Sequence, residues 1–256
     1  MLIFNGPAIP FRPVRGRPCY EVKAAGERAG EVYLYDVIGE TWDGSGTTAK
    51  SLAEDLKKLG TLDSLNVYIN SPGGSVFDGV AIHNVLRRNA ARKIVHVDGL
   101  AASIASVIAM AGDEIRIASN AMMMIHDPWS IAIGSAVDMR KTADSLDKVR
   151  ETILGTYVDR STTPEARLSQ WMTDETWFTA QEAVDAGLAD TLTEKVEMAA
   201  LARFDLSSFA RVPETLARAV EAMAAEPADN PEDGEPHPAV ALMEARALKH
   251  ALKRRQ

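Results

Sequence analysis

Between residues 31 and 192, short apolar runs alternate with turns and with stretches of three- and four-residue apolar spacing. Glu31–Ile38 (EVYLYDVI) has strand composition and partial alternation. A loop at Gly44–Thr48 carries helix-capping residues and leads into a helix over Ala49–Leu59, with Leu52, Leu56 and Leu59 on one face. Asn66–Asn70 (NVYIN) predicts a short strand, Ser71-Pro72-Gly73-Gly74 a turn, Val76–Arg88 a helix with Val76, Val80, Val85 and Leu86 aligned, and Lys93–Val97 a further strand.

The unit from Asn66 to Val97 therefore reads strand, helix, strand, a crossover that is normally parallel and right-handed. A turn at Asp98-Gly99 is expected to open a helix over Ala102–Ala111, with Gly112 as its stop. Glu114–Ala118 and Met122–Ile125 predict two more strands. Val137–Tyr157 predicts a long helix whose apolar stripe is Met139, Ala143, Leu146, Val149, Ile153 and Tyr157, opposite a charged face with Arg140, Lys141, Asp144, Asp147, Lys148 and Arg150. Ala180–Ala186 predicts a short helix ended by Gly187. Repeated strand–turn–helix units define an α/β core.

Composition sets the limits of that core. Residues 1–18 are rich in Pro, Arg and Gly and read as an arm; residues 19–197 form the compact domain; residues 198–256 form an extension. Within the extension, Pro213–Ala225 predicts a helix, Glu226–Pro238 an acidic, proline-rich linker, and Ala239–Arg255 a basic terminal helix. A formal net charge of -8 argues against a nucleic-acid partner. Cys19 is the only cysteine, so neither an internal disulfide nor a cysteine-based metal site is available. No signal peptide is recognisable, and the most apolar stretch, Leu100–Ala111, is too short to span a bilayer. The expectation is a cytoplasmic protein away from the membrane, with no metal and no cofactor.

Four places offer chemistry. Ser103 stands in Gly99-Leu100-Ala101-Ala102-Ser103-Ile104-Ala105, a strand-to-helix junction walled by small residues, where free N–H groups and the helix dipole favour a nucleophile. The alternative is a helix-capping serine in a packed core. Gly73-Gly74 permits close backbone approach, and the N–H groups of Gly74 and Ile104 could form an oxyanion hole; an ordinary tight turn is the alternative. His126 ends an apolar run before Asp127-Pro128. Of the five histidines it is the best placed for a base, although a lone histidine is more often structural. Asp174 and Glu175 precede Thr176–Ala180; either could orient an imidazole, or both could be surface acids. The order serine, histidine, acid differs from the α/β-hydrolase, chymotrypsin and subtilisin orders, and no Gly-x-Ser-x-Gly elbow is present.

These motifs resemble the Clp protease proteolytic subunit family. Tyr68–Val76 (YINSPGGSV) is similar to its oxyanion loop, Gly99–Ala105 to its nucleophile motif, Met124–Pro128 to its histidine motif, and Thr176–Ala183 with Gly187–Asp190 to the region of its third catalytic member. The resemblance covers about Glu31 to Leu192. It implies a crotonase-like fold of repeated β-β-α units with a protruding handle helix at Val137–Tyr157. It also implies Ser103 as nucleophile, His126 as base, and Gly74 and Ile104 as oxyanion donors. The family's third member is usually aspartate, and the alignment places Glu175 there with Asp174 adjacent. Ile104 replaces a usual methionine, a change that a backbone donor tolerates.

Asp43–Gly46, Glu175–Phe178 and the added tail look closer to the phage branch of this family, the head maturation proteases. That resemblance implies a serine endopeptidase that processes scaffold or capsid precursors, in host cytoplasm or an assembling prohead, as a homo-oligomeric ring. A second reading is a Clp peptidase served by a separate ATP-dependent unfoldase, since the chain has no Walker A motif. A crotonase-type acyl-CoA enzyme and an inactive assembly chamber are the remaining alternatives.

Overall fold

The computed structural model describes residues 20–26, 28–40, 46–196 and 206–218. The predicted arm at 1–18, the linker at 226–238 and the terminal helix at 239–255 lie outside the described residues. One sheet carries, in spatial order, β1 (Tyr20–Ala24), β2 (Ala29–Leu34), β3 (Ser64–Ser71), β4 (Arg92–Ala102), β5 (Glu114–Ala118) and β8 (Thr191–Thr193). β1 is an antiparallel edge, and every other pair along this path is parallel. β6 (Met122–Ile125) and β7 (Thr176–Thr179) lie off the path and pair antiparallel with each other. The helices are α1 (Ala49–Leu59), α2 (Val76–Arg88), α3 (Ile104–Ala109), α4 (Ala136–Val158), α5 (Glu165–Thr173) and α6 (Ala180–Asp185). This is the expected mixed α/β architecture.

The sheet divides along β4. Its first half pairs with β5, from Ile94 opposite Glu114 to Val97 opposite Ile117, and its second half pairs with β6, from Leu100 opposite Met122 to Ala102 opposite Met124. The turn expected at Asp98-Gly99 does not form. The strand passes through those residues because side chains hold it: Tyr35 donates its hydroxyl proton to Asp98, and Asn70 Oδ1 accepts from the Leu100 N–H at 3.1 Å. Asn70 sits where the β3–β4 register shifts between Ile69 and Ser71. Its amide replaces the ladder bond lost there. The helix consequently begins at Ile104, two residues later than the pattern suggested, and Ser103 lies between strand and helix.

The main core lies between the sheet and its helices. Leu34, Val67, Ile69, Val95 and Ile115 from the strands meet Leu52, Ile82, Leu86 and Ile108, all fully buried. Each such side chain contributes roughly 1.5–3 kcal/mol. α1 buries Leu52 and Leu56 as its spacing predicted. On α2 the buried stripe is Gly79, Ile82 and Leu86, and the three valines flank it half-buried. Gly79 is essential to the packing, since a Cβ there would lie 2.1 Å from Ile104 Cγ1. That close approach presses α2 onto the start of α3.

α4 is a handle. Ile153, Leu154 and Tyr157 near its C-terminus enter the core, whereas Val137 is 56% exposed and Met139 is also exposed. The predicted stripe therefore reaches the core only at one end. A capping box between Ser135 and Asp138 sets the helix start. β1, α5, β7 and β8 have no counterpart in the apolar pattern of the sequence, because they are short or bury few side chains; α5 buries only Leu168 and Met172.

Residues 206–218, part of the expected extension, pack on the sheet. Leu206 is buried with Leu100, Ala102 and Met124, and Phe209, Val212 and Leu216 pack beside it with Met122 and Trp177. Of the helix expected at Pro213–Ala225, residues 214–218 are helical and residues 219–225 lie outside the described residues. Among the described residues no helix is long and apolar enough to cross a membrane.

Candidate active site

Ser103 is the last residue before α3 and has φ 54 and ψ -129. A non-glycine residue at such a φ is strained and survives only where its surroundings fix it. Both of its backbone groups are held. Its N–H donates to the Met124 carbonyl at 3.0 Å. Its own carbonyl accepts from the Ser106 N–H at 3.0 Å and from the Ser106 hydroxyl at 2.6 Å. Ser106 Oγ lies 2.7 Å from the Tyr157 hydroxyl on α4, inside the core. The strain turns the Ser103 side chain out of the junction, where its Oγ lies 2.8 Å from His126 Nε2.

His126 follows β6. The loop after it is tied down on two sides. Asp127 N–H donates to the Met172 carbonyl at 3.0 Å, and Arg150 Nε of α4 donates to Asp127 Oδ1 at 2.6 Å. Thr173 donates its hydroxyl proton to Asp127 Oδ2 at 3.0 Å, and the Arg150 guanidinium also reaches Ser169. Burial pushes the His126 imidazole below its ordinary value, and the charges of Glu175 and Asp127 partly offset this. A neutral imidazole bonded to a serine hydroxyl can accept its proton as the oxygen attacks a carbonyl.

The glycine turn sits against this pair. Ser71 Oγ donates to the Asp36 carbonyl at 2.6 Å and accepts from the Gly73 N–H at 3.1 Å, which fixes the turn. Gly73 has φ 99, and a Cβ there would lie 2.7 Å from Ser103 Cβ. Gly74 pairs with Ile38 through a parallel bridge that uses the Gly73 carbonyl and the Ser75 N–H. The strand alternation at that bridge turns the Gly74 N–H to the opposite edge. Ile104 opens α3, so its N–H has no acceptor within the helix.

The two acids behave differently from the pair. Glu175 follows α5 with φ 50, and among the described residues it and Ser103 are the only non-glycine residues with positive φ. Its carboxylate accepts from the Ala210 N–H at 2.9 Å, from the Arg211 N–H at 2.6 Å and from the Trp177 indole at 3.4 Å. Asp174 accepts from the Gln170 amide at 2.8 Å and faces Arg211 at 3.5 Å. Among the described residues neither acid accepts a hydrogen bond from His126. The structure thus brings Ser103, His126, Gly74 and Ile104 to one corner. Glu175 is near enough to act on His126 through its charge but is bonded elsewhere. Arg150, Asp127, Asn70, Ser71 and Gly79 support this corner and were not singled out in the sequence; Arg150 reads there as one more charge on a solvated helix face.

Fold and site together describe a mixed α/β scaffold with a serine–histidine pair at a strained strand-to-helix junction. The family profile described as Clp protease matches residues 44–196, more than half of the chain, and the chain belongs to that family of peptidases. It is 32% identical over 153 residues to the ATP-dependent Clp protease proteolytic subunit of Bacteroides thetaiotaomicron, covering 58% of this chain and 70% of that protein. It is 34% identical over 182 residues to the protein of the same name from Ligilactobacillus salivarius, covering 66% and 91%. With subunit 2 from Parasynechococcus marenigrum the identity is 34% over 147 residues, covering 56% and 71%.

Proposed function

We propose that the chain is a serine endopeptidase in which Ser103 is the nucleophile and His126 the general base. The N–H groups of Gly74 and Ile104 bind the oxyanion, and Glu175 is the third member. The 2.8 Å contact between Ser103 Oγ and His126 Nε2, at a residue whose backbone is strained, carries this reading. A fluorophosphonate probe should label Ser103, and the label should vanish in Ser103→Ala and fall sharply in His126→Ala. A folded chain whose Ser103 stays unlabelled sinks the assignment and reopens the acyl-CoA and inactive-chamber readings.

Within this reading the substrate is a phage scaffold or capsid precursor, trimmed in host cytoplasm or in an assembling prohead. The resemblance of Asp43–Gly46 and Glu175–Phe178 to the phage branch, together with the residues beyond 196, supports it. Portal and major capsid genes beside this one are the expected finding. Co-expression with that capsid precursor should yield a trimmed product that Ser103→Ala does not give. The names of the relatives favour a second reading, a proteolytic subunit working with a separate ATP-dependent unfoldase. Co-purification with an ATPase would decide for it. In either case a homo-oligomeric ring is expected, with α4 and the exposed Trp129, Ile131, Ile133, Val137 and Met139 at subunit contacts.

A further inference from the structure

We propose that residues 206–211 act as an inhibitory strap: they hold the Glu175 carboxylate on their own backbone and seat Phe209 against His126, and their displacement completes the Ser103–His126–Glu175 triad. The inference rests on the peptidase reading above.

The strap lies after residue 196, outside the stretch that the family profile matches. Its polar contacts converge on the acids. The N–H groups of Ala210 and Arg211 each take one Glu175 oxygen, at 2.9 and 2.6 Å, and the Arg211 guanidinium faces Asp174 at 3.5 Å. Its aromatic contact converges on the base: the Phe209 ring stands edge-on to His126 with centroids 5.6 Å apart, and edge-on to Trp177 at 5.7 Å. Leu206, Val212 and Leu216 anchor it on Leu100, Ala102 and Met124, the stretch of β4 and β6 that leads into Ser103 and His126.

Two backbone N–H groups gripping one carboxylate are a strong claim on it, because hydrogen bonds to a charged acceptor exceed neutral ones. An acid so engaged gives His126 only its charge. The Glu175 backbone is held at φ 50, and the charge of the side chain already reaches His126. In this proposal, completing the triad is a turn of the Glu175 side chain from the strap to His126. The anchor is a small apolar cluster separate from the main core, and the Arg211–Asp174 pair is solvent-exposed and weak. Such an attachment suits release by a substrate or by a neighbouring subunit. A segment that instead held Glu175 in a working position would be expected to leave a carboxylate oxygen bonded to His126, and none is.

The test uses the full-length chain with Phe209→Ala and, separately, Ala210→Pro, which deletes one N–H donor without touching the imidazole. Hydrolysis of an apolar fluorogenic peptide and the rate of fluorophosphonate labelling are measured, with thermal melting to confirm folding. The kcat/KM is expected to rise about ten-fold or more in both variants, toward the range a triad acid supplies. Adding Glu175→Gln should abolish the gain, and in the released variant the His126 ring should titrate at higher pH by NMR, as Nδ1 gains a carboxylate acceptor. If Phe209→Ala fails to fold, Ala210→Pro decides. A rate that is unchanged or falls, with Ser103 still labelled, overturns the strap and makes the segment a support, while the peptidase reading stands. Absence of labelling in every chain overturns both.

Discussion

His126 stands between two parts of the molecule that are built in different ways. On the Nε2 side everything comes from the packed core. Ser103 is pinned through Met124 and Ser106, Ser106 is braced by the buried Tyr157, and Gly73 lies close against Ser103 from the turn after β3. The acid whose charge acts most on His126, Glu175, follows a helix end and is gripped by residues beyond the stretch the family profile matches. The nucleophile–base contact tolerates little displacement, and a core that cannot shift supplies that precision. An acid that only orients and stabilises the imidazolium can be added or withdrawn, so control can be placed there without loosening the part that must stay rigid.

The core side should be the more fragile one. Ser103→Ala is expected to lower peptide hydrolysis by roughly three to six orders of magnitude with the melting temperature unchanged, measured on the purified full chain. The next largest effect is expected from Gly73→Ala. The new methyl would meet Ser103 Cβ at 2.7 Å and the Ala102 carbonyl at 2.9 Å, at a φ of 99 that alanine resists. Displacing the nucleophile by part of an ångström should reduce kcat about a hundred-fold. Gly155→Ala is the control: nothing lies within 4 Å of its would-be Cβ on exposed α4, so activity should hold and stability rise by about 0.5–1 kcal/mol. Equal effects at the two glycines would erase the distinction between a precise core and a tolerant periphery.

The acid side should respond more gently and in a pH-dependent way. The base works only when neutral, so the rate falls as pH drops through the His126 pKa. Burial places that pKa below the ordinary 6.5, and the acidic limb of kcat/KM should therefore lie below pH 6.5. Glu175 raises the value, so Glu175→Gln should move the limb to still lower pH. Asp174 has no such influence, and Asp174→Asn should leave the limb in place. A shift produced by Asp174→Asn and not by Glu175→Gln would transfer the role of third member to Asp174.

The same division governs what the sequence made legible. Ser103, His126 and the glycine turn stood out because each lies in a local motif at the end of an apolar run, and the run order fixes which ends share a sheet edge. The division of β4 did not stand out. Asp98-Gly99 carries a turn signature, and only side chains from elsewhere, Tyr35 and Asn70, keep the strand extended through it. Gly79 was equally silent, since its value lies in the closeness of Ile104, whose Cγ1 would be 2.1 Å from a Cβ there, and no spacing on α2 reveals this. Glu175 could be placed by motif, but its bonds to Ala210 and Arg211 join residues 35 and 36 positions apart in an apparent tail. Long-range backbone capture of this kind leaves no periodic trace.

The smallest effect on the chemistry, and a large one on assembly, is expected from the handle. The apolar stripe of α4 invites the substitution of Leu146 and Ile153 together, but Ile153 is only 5% exposed and packs in the core, so that pair would report on folding. The informative positions are at the other end of the helix, where Val137 and Met139 project with no core beneath them and Ile133 is 84% exposed in the preceding loop. Apolar side chains this exposed, clustered along one projecting element, are covered when a second copy presents the same surface, and closed symmetry covers every copy at once. Val137→Asp with Met139→Asp puts two charges into that contact, where burial without partners is strongly unfavourable. Light scattering should then give a smaller particle than the wild type. Fluorophosphonate labelling of Ser103 should persist within about ten-fold, because neither residue touches the junction; some loss is expected through Tyr157, which links the same helix to Ser106. A wild type that is monomeric, or a double variant of unchanged mass, would remove α4 from the assembly contacts. Labelling that collapses together with the mass would instead mean that neighbouring subunits hold the catalytic corner in shape.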